Sequence, residues 1–298
     1  MPHHMTRNGS LNMDKEFKGW GSGMLGVLIF SGTVPATRVA VATFDPIFFT
    51  LARAAIAGVL AALILLLLRQ PPPARSDSRA LLVVALGVVV GFPLLLALAL
   101  RHVSAAHATV FVGLLPVATV IFSVLLGGEN PRRLFWLFSL SGSLVVAGFA
   151  LGQGIQISLF DDLVMLAAII VCGLGYAEGA RLARRLGGWQ VICWALVLSL
   201  PLMLPLCLWM LPGNFQQAPW PALLGLAYAS LFSMLIGFFF WYHGLASGGV
   251  ASVSQLQLLQ PFFGLGLAAL LLGEQVSTAM VASVLAVALC VAGAKRFA

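Results

Sequence analysis

Charge is what this sequence has least of. Asp, Glu, Lys and Arg make up 8 % of its 298 residues, against roughly 25 % in a soluble domain. A water-soluble fold of this length could not cover its surface with so few charges. Lipid removes that requirement, because a face exposed to it can be apolar. Cysteine is scarce too. Cys172, Cys193, Cys207 and Cys290 all sit in apolar runs without C-x-x-C spacing, which argues against disulfides or a zinc site and for small buried hydrophobes. There is no G-x-x-x-x-G-K-[ST] loop, no H-E-x-x-H and no nucleophile elbow, so nucleotide-driven pumping and intramembrane hydrolysis lack the residues to carry them. No enzyme activity, cofactor, metal or nucleotide partner is expected. The net charge of +7 lies between apolar runs and forms no basic patch, which fits loops near anionic headgroups and not nucleic acid.

What is present is hydrophobic length. Apolar residues reach 61 % and the mean hydropathy is +1.04. A helix crosses the hydrocarbon core in about 20 residues. Runs of that kind lie at Trp20–Val41, Ile47–Leu68, Ala80–Leu100, Ala105–Leu126 and Leu134–Leu151, then at Leu163–Leu182, Trp189–Leu211, Trp220–Tyr242, Val250–Leu272 and Val276–Ala294. Turn chemistry punctuates them at Gln70-Pro71-Pro72-Pro73, Gly127-Gly128-Glu129-Asn130-Pro131, Gly187-Gly188 and Pro212-Gly213-Asn214. The expected fold class is therefore an all-α membrane protein with ten transmembrane helices. A polar tail over 1–18, with His3 and His4, is expected to be disordered. Gly21-Ser22-Gly23-Met24-Leu25-Gly26 matches a dinucleotide-binding glycine pattern, but no strand precedes it. Inside an apolar run it reads as close helix packing, as do Gly175/Gly179 and Gly244/Gly248.

Basic residues orient the chain. Arg7, Lys15 and Lys18, then Arg69, Arg75 and Arg79, Arg132 and Arg133, Arg181, Arg184 and Arg185, and Lys295 and Arg296 all fall on the N-terminal side of the ten-span arrangement. Both termini are expected to be cytoplasmic, in a plasma or inner membrane.

The halves repeat at a shift of 145 residues. Pro116 meets Pro261, Leu125-Leu126-x-Gly128-Glu129 meets Leu270-Leu271-x-Gly273-Glu274, and Leu144-x-Val146-Ala147-Gly148 meets Leu289-x-Val291-Ala292-Gly293. Five spans per half is an odd number, so the second half must enter the membrane from the opposite side. Glu129 and Glu274 are then expected on opposite faces. Repeats of this kind, over 19–152 and 161–298, are typical of secondary transporters with a site near the midplane.

Several residues are candidates for that site. Pro116 and Pro261 break their spans and free the carbonyls of Val112 and Gln257, which lipid cannot satisfy; a packing kink is the rival reading. Pro35 and Pro93 are similar but unpaired. Ser254, Gln257 and Gln260 share a face with Pro261, as cavity lining or as helix glue. Tyr176, Tyr228 and Trp241 offer rings with polar tips for a substrate. Glu178 is a candidate proton or ammonium site, or a local ion pair with Arg181. Arg53 is expected to snorkel outward or make a structural bond. His102, His107 and His243 have no metal spacing and read as hydrogen-bonding residues.

The order Ala251 to Pro261, Gly273-Glu274 and Val291-Ala292-Gly293, echoed by Ala106 to Pro116, Gly128-Glu129 and Val146-Ala147-Gly148, with Pro46 and Arg53 opening the second span, resembles the drug/metabolite transporter superfamily in its EamA branch. Within it the chain is similar to exporters of aromatic and other amino acids of the YddG type. The resemblance implies a ten-helix exporter working by alternating access. It places a cavity between the first, third, fourth, sixth, eighth and ninth spans, and implies a small amphipathic substrate such as an aromatic or apolar amino acid. Efflux of drugs or cations, a channel and an intramembrane enzyme are the rival expectations.

Overall fold

The computed structural model describes residues 4–152, 158–264, 266 and 278–298, with side chains from Glu16 onward apart from residues 105 and 106. Among the described residues there is no strand, and nine helices are long and apolar enough to cross a membrane. They are α1 (Glu16–Val41), α2 (Pro46–Leu67), α3 (Arg75–Ala99), α4 (His107–Leu125), α5 (Arg133–Leu151), α6 (Leu159–Leu186), α7 (Gly188–Trp209), α8 (Trp220–Gly248) and α10 (Thr278–Phe297). Between the last two lies α9, which starts as Val250–Ser254 and is described to 264 and at 266. The repeat letters at Leu270, Leu271, Gly273 and Glu274 lie outside the described residues, as does the expected opposition of Glu129 and Glu274.

Helix starts follow local chemistry. Asp45 caps α2, its Oδ1 accepting from the backbone N–H of Ile47 at 2.9 Å and of Phe48 at 3.3 Å, with Pro46 at the first helical position. Ser104 accepts from His107 N–H at 3.2 Å to open α4. The N-terminal segment differs from expectation: the helix that becomes α1 begins at His4, where a disordered tail was expected. Leu11, Met13, Lys15, Glu16 and Lys18 are good helix formers contiguous with an existing span. Extending a formed helix carries no nucleation cost.

Glycines let helix backbones touch where they cross. A Cβ on Gly244 of α8 would lie 2.7 Å from the backbone N of Gly23 in α1, and one on Gly19 would lie 2.4 Å from the N of Gly248. Gly23 and Gly26 of the glycine run read from the sequence as packing lie at the α1–α8 contact, whereas a Cβ on Gly21 would meet nothing within 4 Å. Shifting both helices by five in the repeat gives α6 against α3, and there a Cβ on Gly87 would meet the Val171 carbonyl at 2.4 Å. The corresponding helices α2 and α7, and α5 and α10, also pack against each other.

Two departures from α geometry obey the same symmetry. Wide i→i+5 turns occupy Ala85–Gly91 in α3 and Ala229–Ile236 in α8. Phe92 N–H donates to the Gly87 carbonyl, and 145 residues later Gly237 N–H donates to that of Phe232. The proline-marked spans break as well. α4 stops at Val112 and resumes at Leu115, and α9 tightens over Gln255–Leu259 just before Pro261. Carbonyls exposed at such breaks need protein partners: that of Gly113 accepts from Ser143 Oγ at 2.8 Å.

Candidate transport cavity

The broken helices converge on one buried cavity. Its polar lining is Thr33, Arg53, Tyr176, Ser233, Gln257 and Gln260. Phe30, Phe92 and Phe238 form much of its apolar wall. These residues come from α1, α2, α3, α6, α8 and α9, and α4 adds Val112 and Leu115 at its break. The space open to the centres of water molecules is about 30 Å³, enough for about two waters at ~10–15 Å³ each. No amino acid fits until the walls separate.

The polar groups are fixed by hydrogen bonds between helices. α1 turns at Gly32, three residues before Pro35, which brings no N–H for the Ser31 carbonyl. The neighbouring carbonyls find side-chain donors: Tyr228 Oη reaches that of Ile29 at 2.6 Å, and Gln260 Nε2 that of Phe30 at 3.0 Å. Past the turn, Thr33 Oγ1 and Ser233 Oγ are 2.8 Å apart. Ser233, inside the wide turn of α8, also accepts from Arg53 Nη2 at 3.2 Å. Tyr176 stands in an aromatic cluster, its ring 5.5 Å from that of Trp241 and 5.9 Å from that of Phe238. Its hydroxyl is within hydrogen-bonding reach of Gln257 and Cys172.

Of the two expectations for Arg53, an outward reach or a structural bond, the structure shows the bond, to Ser233. It does not snorkel: it is 2 % exposed, it lines the cavity, and its guanidinium lies 5.8 Å from the Phe49 ring centre. Its Nε and Nη1 have no hydrogen-bond partner, and neither does Gln257 Oε1. The inward direction has a physical cause. Ser233 and a polar hollow lie within reach on the protein side.

Of the other expected site residues, Tyr176, Gln257, Gln260 and Pro93 line the cavity. Ser254, Tyr228 and Trp241 do not. Ser254 donates to the Ala251 carbonyl at 3.2 Å, Tyr228 braces α1, and Trp241 is fully buried beside Phe30. Pro116 and Pro261 mark the breaks beside the cavity without lining it. Glu178 is held by Arg181, Oε2 to Nε at 2.8 Å and Oε1 to Nη2 at 3.2 Å, and neither lines the cavity. Thr33 and Ser233, like Arg53, were not foreseen as lining; a lone hydroxyl in an apolar run carries no sequence signal.

Both ends of the bundle are clasped over this cavity. At the end bearing the termini, Glu129 accepts from Val250 N–H at 2.7 Å and Ala251 N–H at 2.6 Å, and Arg184 Nη2 lies 2.9 Å from its Oε1. The carboxylate thus caps α9 from the end of α4, its repeat mate, an antiparallel contact that fits the inverted arrangement. At the other end His107 Nε2 lies 2.5 Å from Asp162 Oδ1, and His102 Nδ1 lies 3.2 Å from Asp161 Oδ1. Ser252, 145 residues after His107, makes the corresponding tie, accepting from Trp20 Nε1 at 2.7 Å.

Comparison with known proteins agrees with this architecture. The chain matches the EamA-like transporter family twice, over residues 18–151 and 159–294. It is 65 % identical over 286 residues to the uncharacterized transporter YdeK of Bacillus subtilis (strain 168), covering 96 % of this chain and 100 % of that protein. It is 28 % identical over 257 residues to a probable terminal-alkyne amino-acid exporter of Streptantibioticus cattleyicolor, with 84 % of each chain covered. One crystal structure of another protein superposes with a TM-score of 0.77 at 18 % identity, over 94 % of this chain and 99 % of that one. At that identity the likeness concerns the fold alone.

Proposed function

Since the chain belongs to the EamA-like transporter family, and is thus a multi-pass membrane transporter and no enzyme, we propose that it exports small amphipathic metabolites, amino acids with aromatic or apolar side chains foremost. The observation that carries this reading is the buried cavity where both halves meet, lined by polar groups and by aromatic rings. The relative named as a probable amino-acid exporter supports the same substrate class. Efflux of organic cations fits less well, because Arg53 faces the cavity and among the described residues no carboxylate lines it. With both clasps closed the molecule is occluded. Transport proceeds by opening the Glu129 clasp and the His107–Asp162 clasp in turn, each half rocking against the other. In this reading the termini are cytoplasmic and the membrane is the plasma membrane.

The experiment is uptake and counterflow of a panel of labelled amino acids in proteoliposomes, with and without an imposed pH gradient. Saturable flux of an aromatic or branched-chain amino acid is expected. Absence of flux for every amino acid removes the exporter reading. If a pH gradient drives transport, Glu178→Gln asks whether that carboxylate carries the proton; an unchanged coupled flux assigns it to the ion pair with Arg181 alone.

A further inference from the structure

We infer that Arg53 is the group that binds the substrate's carboxylate, with the Gln257 amide oxygen taking the ammonium group beside it. This rests on the exporter reading and adds what the cavity recognises. Three observations carry it. First, Arg53 is 2 % exposed, in the membrane interior, yet among the described residues it forms no salt bridge, and no carboxylate lines the cavity. A guanidinium has five N–H donors, and its one recorded side-chain hydrogen bond goes to Ser233 Oγ. Nε and Nη1 are unpartnered. Such a cation is costly to bury without an anion, and that cost is offset when an anion arrives. Second, Ser233 is itself held by Thr33 at 2.8 Å, so one corner of the guanidinium is anchored from α1 and α8. The free donors are left to meet a carboxylate in a forked geometry. Third, Gln257 lines the same cavity with an unpartnered buried acceptor. An unpaired cationic donor and an unpaired neutral acceptor, next to aromatic walls, match an α-amino acid: carboxylate, ammonium and apolar side chain.

The binding also supplies a reason for coupling. Arg53 sits on α2, Ser233 in the wide turn of α8, and Gln257 in the tightened segment of α9. A zwitterion bridging Arg53 and Gln257 ties α2 of the first half to α9 of the second. Binding then favours a widened cavity with both halves drawn in on the substrate, which makes the switch between the two openings depend on substrate.

The test takes the best-transported amino acid of the labelled panel with its carboxamide, its decarboxylated amine and its des-amino acid, as competitors of flux in proteoliposomes. The amide and the amine are expected to compete about 10- to 100-fold more weakly than the amino acid, the range for hydrogen bonds to a charged group. Arg53→Gln should abolish that preference, and Arg53→Lys should restore part of it; Gln257→Leu should weaken the amino acid relative to its des-amino acid. A ratio of apparent constants is read, which a loss of folded protein does not move, and gel filtration confirms that each variant is folded. If wild type carries the amide or the amine as well as the amino acid, or if Arg53→Gln keeps the preference, the carboxylate assignment is wrong while the exporter reading stands. If the des-amino acid competes as well as the amino acid and Gln257→Leu changes nothing, the site is one for monocarboxylates in general and the Gln257 assignment falls. Absence of flux for any amino acid removes both readings together.

Discussion

Replacing Gly244 by alanine puts one methyl group where two backbones already touch. The added Cβ would lie 2.7 Å from the N, 2.8 Å from the Cα of Gly23 and 3.0 Å from the Gly19 carbonyl. All three are backbone atoms of α1, so no rotamer change relieves the clash; α1 and α8 must separate by the better part of an ångström to restore ordinary contact. Overpacking of this kind costs about 1–3 kcal/mol. At roughly 2–4 °C per kcal/mol for a chain of this size class, the melting midpoint in detergent should fall by about 2–12 °C. The control is Gly21→Ala, two residues before Gly23 in sequence, where an added Cβ meets nothing within 4 Å. There the midpoint should hold or rise, since alanine favours a helix by up to ~1 kcal/mol over glycine. Both variants are followed by tryptophan fluorescence and by gel filtration after heating. The crossing also bears on function, because α1 and α8 carry Phe30, Thr33, Ser233 and Phe238 into the cavity. Gly244→Ala should therefore slow transport even below its midpoint. Equal midpoints for the two variants would refute a crossing held by backbone contact.

Other outcomes follow from the clasps and the braces. Glu129→Ala removes the acceptor for two N–H groups at the start of α9 and should destabilise by about 1–3 kcal/mol, whereas Arg184→Gln, at an exposed pair, should change the midpoint little; equal effects would show the capping to be incidental. Gln260→Leu strips the Phe30 carbonyl of its donor and should lower both stability, by about 1–3 kcal/mol, and transport rate; an unchanged midpoint would show that water takes the amide's place.

The helices and their two-fold repetition were readable because they rest on span length and on a proline and a Gly-Glu pair, none of which apolar drift reproduces. The cavity was half readable. Gln257 and Gln260 announce themselves, because an amide in a span needs a reason to be there. Arg53 did not, since its direction depends on Ser233, 180 residues away, and sequence spacing suggests only how far it stands from a membrane surface. Trp241 and Tyr228 were read as substrate groups from their chemistry, yet packing assigns one to the core and the other to a carbonyl of α1. The helical N-terminus was missed because polar composition says nothing about a segment that inherits its conformation from the span it extends.

The paired wide turns of α3 and α8 have a genealogical meaning. A turn closed from residue i+5 holds one residue more than a regular one, and the bond from Phe92 to Gly87 and that from Gly237 to Phe232 stand at corresponding places. The simplest history is a single insertion in an ancestral five-helix subunit, inherited by both copies when that subunit was duplicated and fused. Deleting one residue from either turn would therefore undo an ancient event in one copy alone. It would swing the helix beyond it by ~100° and leave the two descendants unable to mirror each other's motion.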